Sequence, residues 1–342
     1  YGAYFGAMEV NKINNKIYYS NMVISGETHT IENNLYINES RPWANQILSM
    51  AVDELSGKIF TSAGSSHLCV IDANTYRLKQ YFSSSVLSSS ITIIPENNIL
   101  FAVGYKGVWF HREEDDYFIK TIDLGEKKLV DSIDASNFLG EALLANPSNG
   151  YIYLSHWEEG ISAYDSNNKH FLPWVGFLRE EDNLFGSPND MVFDTILKRL
   201  YVANVGHNTI SVLDANTLEI LKKIIIDPII YPILTTDIKN HKLYICGQNE
   251  STVYVYDGET FQELQKKNIG YQVYDIISCP SGGKIYLGTL NNGLVALESS
   301  TLKEIVKLPI SLSILGQPLD FQLYIDDTFN LLIAIYGNLN DG

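Results

Sequence analysis

The residues of this sequence that could do chemistry are acidic, amide and aromatic side chains that recur at one point of a repeated pattern. Four carboxylates lie just before or at the start of predicted strands, and oxygen ligands of this kind suit hard cations such as Ca²⁺ or Mg²⁺. If the repeats bring these segments together, convergent polar groups in a concave site predict ligand binding. The candidate ligand-binding residues are Trp43, Asn45, Glu141, Asn189, Asp190, Tyr231, Tyr271, Tyr274, Asp275 and Asp320.

The same residues have a second interpretation that involves no ligand. They could stabilise the turns that lead into the first strands and line a water-filled channel. Ligand pockets are few in any protein, so both interpretations stay open at this point.

Catalytic motifs are missing from the sequence. The seven histidines form neither HExxH nor HxH, and the three cysteines form no CxxC. GxSxG and phosphate-loop motifs do not occur either. We therefore predict no catalytic residue and no cofactor, with bound Ca²⁺ or Mg²⁺ as the alternative.

One further pair of residues could contact a partner. His156 and Trp157 are followed by two glutamates, in a segment predicted to be a loop after a second strand. Exposed tryptophan is enriched at protein interfaces, which favours a partner-contact patch. Packing of Trp157 between sheets is the alternative.

Charge and hydropathy argue against binding to nucleic acid and against a membrane-spanning segment. The net charge is −16, and no basic stripe offsets it, so binding to nucleic acid is not expected. The longest apolar run, residues 224–234, contains Asp227, Pro228 and Pro232, so no membrane-spanning segment is predicted.

The elements that must position the candidate residues are visible as a repeat of about 42 residues, which is typical of blade-like repeats. Each copy has an apolar strand, a tight polar turn, then usually Lys or Arg and a second apolar strand. Clear copies are Met50–Ser62, Asp190–Asn204, Thr236–Cys246 and Asp275–Gly288, and weaker copies are Ile91–Val103, Ala142–Leu154 and Asp320–Ile335.

A third and a fourth strand follow in each copy. An aspartate closes the third strand at Asp72, Asp165, Asp214 and Asp257. Its carboxylate can accept hydrogen bonds from amides two residues further on, so we predict Asx turns rather than catalytic acids. Asn74, Asn216 and Gly258 are expected to supply the positive φ of these turns.

Four-stranded units of this kind cannot bury both of their faces alone, whereas stacking them around an axis does. The sequence therefore predicts an all-β chain, with residues 1–342 forming one β-propeller domain of seven four-stranded antiparallel blades. Residues 3–10 and 16–24 would supply the third and fourth strands of the last blade and close the ring. The alternative takes residues 7–20 as a first and second strand, which gives eight blades.

The segment Arg199–Thr217 resembles the YVTN-repeat family. Tyr201-Val-Ala-Asn204 departs from that family's Tyr-Val-Thr-Asn core only at Ala203, and the third strand Thr209–Asp214 follows as in the family. The other copies are looser. This resemblance implies a propeller like those of surface-layer, secreted and periplasmic YncE-like proteins, and it carries over no active site.

From these observations we expect a non-catalytic binding or scaffold propeller, extracytoplasmic or at the cell surface. It would recognise a protein or a glycan through its loop face or central funnel. The alternative is a metal-dependent lyase or lactonase that uses the funnel carboxylates. A subunit of a redox assembly is a third hypothesis, which rests on analogy of fold alone.

Overall fold

The computed structural model describes residues 8–11, 16–19, 22–25, 31–35, 47–63, 67–83, 87–105, 117–125, 128–134, 143–156, 160–173, 187–205, 208–227, 229, 231–248, 250–289, 293–308, 320–326 and 331–337. Within these residues the chain is all-β, and the 3₁₀ turn Pro95–Asn97 is the one helical segment. No helix in this part of the chain has the length and hydropathy that a bilayer crossing needs.

The chain divides into two compact units. The first comprises Tyr1–Leu139, Ala145–Tyr153 and Tyr164–Phe171, and the second comprises Gly140–Leu144, Leu154–Ala163 and Leu172–Gly342. The prediction of one domain over residues 1–342 stays a prediction.

The first unit contains three four-stranded sheets, each made from strands that are consecutive in sequence. In chain order the strands are β1 (Met8–Asn11), β2 (Lys16–Tyr19), β3 (Met22–Ser25) and β4 (Ile31–Asn34); β5 (Ile47–Asp53), β6 (Lys58–Ala63), β7 (His67–Asp72) and β8 (Leu78–Ser83); and β9 (Leu87–Ile94), β10 (Ile99–Tyr105), β11 (Tyr117–Asp123) and β12 (Lys128–Asp134).

A fourth sheet has residues in both units. Its strands are β13 (Leu143–Asn146), β14 (Tyr151–His156), β15 (Gly160–Asp165) and β16 (His170–Phe171).

The second unit contains three more four-stranded sheets and one strand pair. The strands are β17 (Ser187–Asp194), β18 (Arg199–Val205), β19 (Thr209–Asp214) and β20 (Ile220–Ile225); β21 (Pro232–Asp237), β22 (Lys242–Gly247), β23 (Thr252–Asp257) and β24 (Glu263–Asn268); β25 (Val273–Cys279), β26 (Lys284–Thr289), β27 (Gly293–Glu298) and β28 (Glu304–Leu308); and β29 (Asp320–Asp326) with β30 (Leu331–Gly337).

The N-terminal strands correct one prediction. Residues 16–24 are not a single strand, because β2 ends at Tyr19 and β3 pairs back on it with Met22 opposite Tyr19. β1 pairs with β2 and β3 pairs with β4, so these strands form a sheet of their own. The prediction that they complete the last sheet is therefore wrong. Tyr18 and Val23 are instead buried in a core shared with the sheet β5–β8.

This arrangement of the N-terminal strands is the one on which the eight-bladed alternative is based. Over the described residues there are seven four-stranded sheets and the pair β29–β30. The blade number itself, seven or eight, stays a prediction.

Hydrophobic cores lie between successive sheets, and β22 shows how the sequence produces them. Side chains alternate across a strand. Leu243 and Ile245 lie in the core shared with the sheet β17–β20, while Tyr244 and Cys246 lie in the core shared with β25–β28. All four are 0% exposed. Both faces of this sheet are therefore buried, as a near-continuous apolar strand predicts.

The aspartates that close the third strands form the predicted Asx turns. At Asp214, Oδ1 accepts hydrogen bonds from the backbone N–H groups of Asn216 (2.8 Å) and Thr217 (2.9 Å). The same pair of bonds occurs at Asp72, Asp165 and Asp257. These aspartates are confirmed as turn residues.

The positive φ in these turns does not fall on Asn74, Asn216 or Gly258. It falls on bulky residues further along each turn: Tyr76 (φ 59°), Lys169 (φ 57°), Leu218 (φ 59°), Phe261 (φ 61°) and Leu302 (φ 53°). A left-handed conformation costs a residue with a Cβ about 1–2 kcal/mol. Burial offsets this cost, because Leu302 fills the core between its own sheet and the preceding one. Phe261 packs in the corresponding place one sheet earlier.

Tyrosines of the second strands connect neighbouring sheets in the second unit. Tyr201 on β18 donates a hydrogen bond from its hydroxyl to the carbonyl oxygen of Gly258 (3.3 Å), and Tyr244 on β22 donates to Ser299 (3.2 Å). Gly258 and Ser299 occupy the equivalent turn position of the next sheet. Tyrosine in the repeated motif therefore has a structural role.

We predict that Gly258→Ala destabilises the protein. An added Cβ would lie 2.7 Å from the backbone oxygen of His241 and 3.0 Å from the hydroxyl of Tyr201. Overpacking of this kind costs about 1–3 kcal/mol of unfolding free energy. Urea denaturation followed by tyrosine and tryptophan fluorescence measures the change.

The matched control is Ala215→Ser at the equivalent turn position. Ser166 already occupies that position in another sheet, where its hydroxyl donates to the carbonyl of Gly150 (2.5 Å). Ala215→Ser is expected to unfold at nearly the wild-type denaturant concentration. Equal stability of Gly258→Ala and wild type would contradict the crowding argument.

Candidate functional site

The described residues include part of the predicted ligand-binding set, all of it in the second unit. Trp43, Asn45 and Glu141 lie outside the described residues. Asp320 begins β29, opposite Gly337, and only its backbone is described. The remaining six residues surround the starts of the first strands β17, β21 and β25.

A β-bulge at the start of two first strands sets the positions of these side chains. In β17 the pairing with β18 skips Asn189, and in β25 the pairing with β26 skips Tyr274. A bulge adds one residue to a strand and changes the direction of the side chains beside it. Asp190 and Asp275 directly follow the two bulges.

Each of these two carboxylates connects its own strand to the first strand of the next sheet. Asp190 accepts hydrogen bonds from Met191 N at Oδ1 (2.8 Å) and from Leu234 N on β21 at Oδ2 (2.7 Å). A first strand pairs with only one neighbour in its sheet, so some of its N–H groups have no partner in the ladder. Asp190 supplies an acceptor for two such groups.

Asp275 repeats this arrangement one interface further along the chain. Its Oδ1 accepts from Ile276 N (2.8 Å), and its Oδ2 accepts from Leu323 N on β29 (2.6 Å). The two aspartates thus occupy equivalent positions in their sheets, and their backbone partners are equivalent too.

A serine does the same in the first unit, and sequence reasoning missed it. Ser49 follows a bulge in β5, and its Oγ accepts a hydrogen bond from Ile91 N on β9 (3.0 Å). Ser49, Asp190 and Asp275 all stand at the same spacing before the central aromatic residue of the following strand. That shared spacing is the signal that could have identified Ser49.

Burial raises the pKa of both carboxyl groups. The pKa of Asp190 is about 6, because burial outweighs the hydrogen bonds that favour the charged form. The pKa of Asp275 is about 7 for the same reason, and the charge of Asp190 raises it further.

The hydrogen bonds account for these aspartates without a bound ion. All four carboxylate oxygens accept a backbone N–H group, so the charge is stabilised by peptide dipoles. Among the residues that the structure describes, no group of three or more His, Cys, Asp or Glu is placed to hold a metal ion. Ligand binding at Asp190 and Asp275 stays a prediction.

Tyr231 and Tyr271 of the predicted set lie at the same end of the sheets. Together with Gln248 and Glu250 they form what we name the entry surface. The loop between β22 and β23 connects them, because Gln248 N donates to Tyr231 O (3.0 Å) and Val273 N donates to Glu250 O (2.8 Å). The entries into β21 and β25 are thus fixed to one loop. Asn189 adds a hydrogen bond from its side chain to Pro232 O (3.1 Å).

Two tyrosines of the entry surface differ in how firmly they are held. The Tyr271 hydroxyl donates to Glu304 Oε2 (2.6 Å), and the Lys307 ammonium lies 4.9 Å from the centre of its ring. Tyr231 is 51% exposed and has a φ of 50°. A positive φ is uncommon for a residue with a Cβ, and this chain has others in its turns.

The predicted partner-contact pair is corrected at His156. This residue ends β14 rather than lying in a loop, and it is 1% exposed. Its Nε2 lies 2.7 Å from Ser162 Oγ, and burial lowers its pKa to about 3. The neutral, buried ring cannot contact a partner at the surface. Trp157 lies outside the described residues.

Burial reduces the reactivity of two of the three cysteines. Cys69, Cys246 and Cys279 are buried and form no disulfide. Burial raises the pKa of Cys69 to about 11 and that of Cys246 to about 12. Thiols with such pKa values are protonated near neutral pH, and only the thiolate is reactive.

Comparison with known structures identifies the fold as a β-propeller. The β-propeller domain of Cps50 (Swd1) from Myceliophteria thermophila aligns with a TM-score of 0.59 at 10% identity, over 87% of this chain and 98% of that one. Saccharomyces cerevisiae Sqt1 aligns with a TM-score of 0.71 at 11% identity, over 98% of this chain and 94% of that one. Both are WD40 β-propeller proteins, and the all-β propeller prediction is confirmed.

Sequence comparison adds no narrower family. No protein-family model matches the chain, and no curated protein matches it. The resemblance to the YVTN-repeat family therefore stays a prediction.

We predict that Asp275 makes stability depend on pH in the direction opposite to most carboxylates. Its folded-state pKa of about 7 lies above the value of about 3.9 for an unfolded chain. The stabilisation is complete below about pH 4 and is lost as the pH rises through the folded pKa. Asp275→Asn should flatten this part of the profile, as measured by urea unfolding between about pH 4 and pH 8.

Asp257→Asn is the control with the opposite sign. The backbone hydrogen bond from Thr260 and the further hydrogen bonds to Asp257 lower its pKa. Its contribution is therefore present above the unfolded pKa and is lost as the pH falls. An unchanged profile for Asp275→Asn would show that Asp275 titrates like an exposed carboxyl group.

Proposed function

We propose that this chain is a non-catalytic propeller scaffold that binds a partner protein through the entry surface. The observation that carries the proposal is the 51% exposure of Tyr231 at a φ of 50°, on a surface that also presents the firmly held Tyr271. Tyrosine is enriched among the residues that contribute most to protein–protein binding.

The local structure supports binding rather than packing as the role of Tyr231. Pro232 follows it, and a residue before proline is disfavoured outside the extended region. Strain of this kind costs about 1–3 kcal/mol, and burial of the side chain offsets it at Leu302. The core-filling turn residue Leu302 is 1% exposed, whereas Tyr231 is 51% exposed. Among the described residues, Tyr231 is therefore buried much less than Leu302 at a similar φ.

The second tyrosine is preorganised for contact. Its hydroxyl and its ring are both held, so little side-chain entropy remains to be lost when a partner binds. Gln248 and Glu250 lie between the two tyrosines and are only partly buried, which supplies polar groups at the rim of such a contact.

The fold comparisons are in line with this proposal. Their WD40 propeller architecture is a scaffold on which loops carry recognition. A glycan ligand and an extracytoplasmic or cell-surface location remain predictions from the sequence.

We predict that Tyr231→Ala combined with Tyr271→Ala abolishes partner capture. The experiment immobilises the whole chain, incubates it with an extract of the cells that express it, and quantifies bound proteins by mass spectrometry. A partner of the entry surface should be depleted at least about tenfold on the double variant, because each lost hot-spot tyrosine costs about 1–2 kcal/mol or more.

Ile196→Ala is the matched control. Ile196 is 61% exposed in the turn between β17 and β18, at the opposite end of the sheet. It should retain every partner that wild type captures, and all variants should melt within a few degrees of wild type. Equal capture by the double variant and wild type would exclude the entry surface as the binding site.

A further inference from the structure

The fourth strands of the second unit share an exposed aliphatic residue at one repeated position. The pairing between the third and fourth strands skips Leu221 in β20, Leu264 in β24 and Ile305 in β28. Their exposures are 43%, 52% and 51%. The bulges turn these three side chains away from the cores of successive sheets.

A lysine stands two residues after each of the three aliphatic residues. These are Lys223, Lys266 and Lys307, and they belong to a local excess of positive charge. Strands β20, β24 and β28 contain five lysines and two glutamates, while the whole chain has a net charge of −16. The fourth strands are thus basic in an acidic protein.

Two of the lysines are held in position by aromatic rings. The Lys266 ammonium lies 5.2 Å from the centre of the Tyr254 ring and also pairs with Asp227. Lys307 lies over Tyr271. Fixed ammonium groups lose less side-chain entropy when a carboxylate binds to them.

The first unit does not share this pattern. The residue skipped at the equivalent position is Glu32 in β4, Lys79 in β8 and Val130 in β12, and in none of these strands does a lysine follow two positions later. Lysine on an edge strand is a common guard against edge-to-edge pairing. Protection of an edge strand does not require exposed aliphatic residues, so it does not account for Leu221, Leu264 and Ile305.

We propose that β20, β24 and β28 form a second docking surface, the rim, for an acidic segment of a partner protein that carries aliphatic side chains. On whichever of the three edges the segment binds, one of its carboxylates would pair with the lysine of that strand, which is Lys223, Lys266 or Lys307. One of its aliphatic side chains would cover the bulged residue of the same strand, which is Leu221, Leu264 or Ile305. Charge complementarity selects the acidic partner, and the repeated aliphatic position selects one that also buries apolar area.

The geometry of a strand edge suits an extended segment. Each fourth strand ends its sheet in the described residues, so its outer side offers backbone groups to an added strand. An extended segment presents alternate side chains to one side, which matches an aliphatic residue and a lysine two positions apart.

The test selects 12-residue peptides of random sequence, displayed on phage, against the full chain. Selected peptides should be enriched in both Asp or Glu and Leu, Ile or Val relative to the library. Synthetic copies are then measured by fluorescence anisotropy at low and high salt. The triple variant Leu221→Ser, Leu264→Ser and Ile305→Ser should weaken binding about tenfold or more. Lys223→Gln, Lys266→Gln and Lys307→Gln together should weaken binding and reduce its dependence on salt.

Two control variants establish whether the selected peptides bind at the rim. Lys79→Gln with Glu32→Gln changes the equivalent positions of the first unit and should leave peptide affinity unchanged. Tyr231→Ala tests the entry surface, so loss of peptide binding there would assign the peptides to that surface and overturn the rim.

Three further results would overturn the proposal. They are enrichment of neutral or basic peptides, affinity of the aliphatic triple variant within about twofold of wild type, and tighter binding to phosphatidylserine vesicles than to any selected peptide. Circular dichroism and melting temperatures verify that each variant is folded.

Discussion

The sheets β5–β8 and β21–β24 each have two apolar faces, and neither sheet can cover either face by itself. In β22, Leu243 and Tyr244 are adjacent in sequence, yet they are buried in different cores. Stacking against a neighbour on each side is the arrangement that removes both faces from water. The other features follow from this constraint: the hydrogen bonds of Tyr201 and Tyr244 between sheets, and the bulky residues in left-handed turns that fill the cores.

Stacking leaves one problem, which is the free edge of every first strand. Polar side chains that follow bulges in β5, β17 and β25 accept hydrogen bonds from N–H groups on such edges. Ser49 does this without charge, whereas Asp190 and Asp275 do it with carboxylates whose pKa values burial raises. A carboxylate offers two oxygens and can serve two N–H groups, while a hydroxyl accepts fewer such bonds. The acidic residues that looked like ligand groups in the sequence therefore have a structural role that the backbone itself demands.

The sequence was a good guide to whatever depends on local pattern and a poor one to what depends on neighbouring sheets. Strand alternation and the Asx turns at residues such as Asp214 follow from a few adjacent residues, and both were predicted. The left-handed residue was misplaced, because the core behind the turn selects Phe261 and a local rule selects Gly258. His156 was expected at the surface for a similar reason: its burial in β14 depends on side chains that are distant in sequence. The bulged residues of the fourth strands gave no recognisable signal, since a bulge is visible only once the partner strand is known.

The bulky residues in the left-handed turns also restrict how such a chain can evolve. Each side chain packs into a core that is partly formed by the preceding repeat, and the side chains differ in size: Tyr76, Phe261 and Leu302. Deleting or duplicating one repeat would place a turn side chain against a core that did not evolve with it. The unit that must be inherited together is therefore the interface between two repeats. Recombination at a point inside a sheet would preserve more of this packing than recombination between sheets.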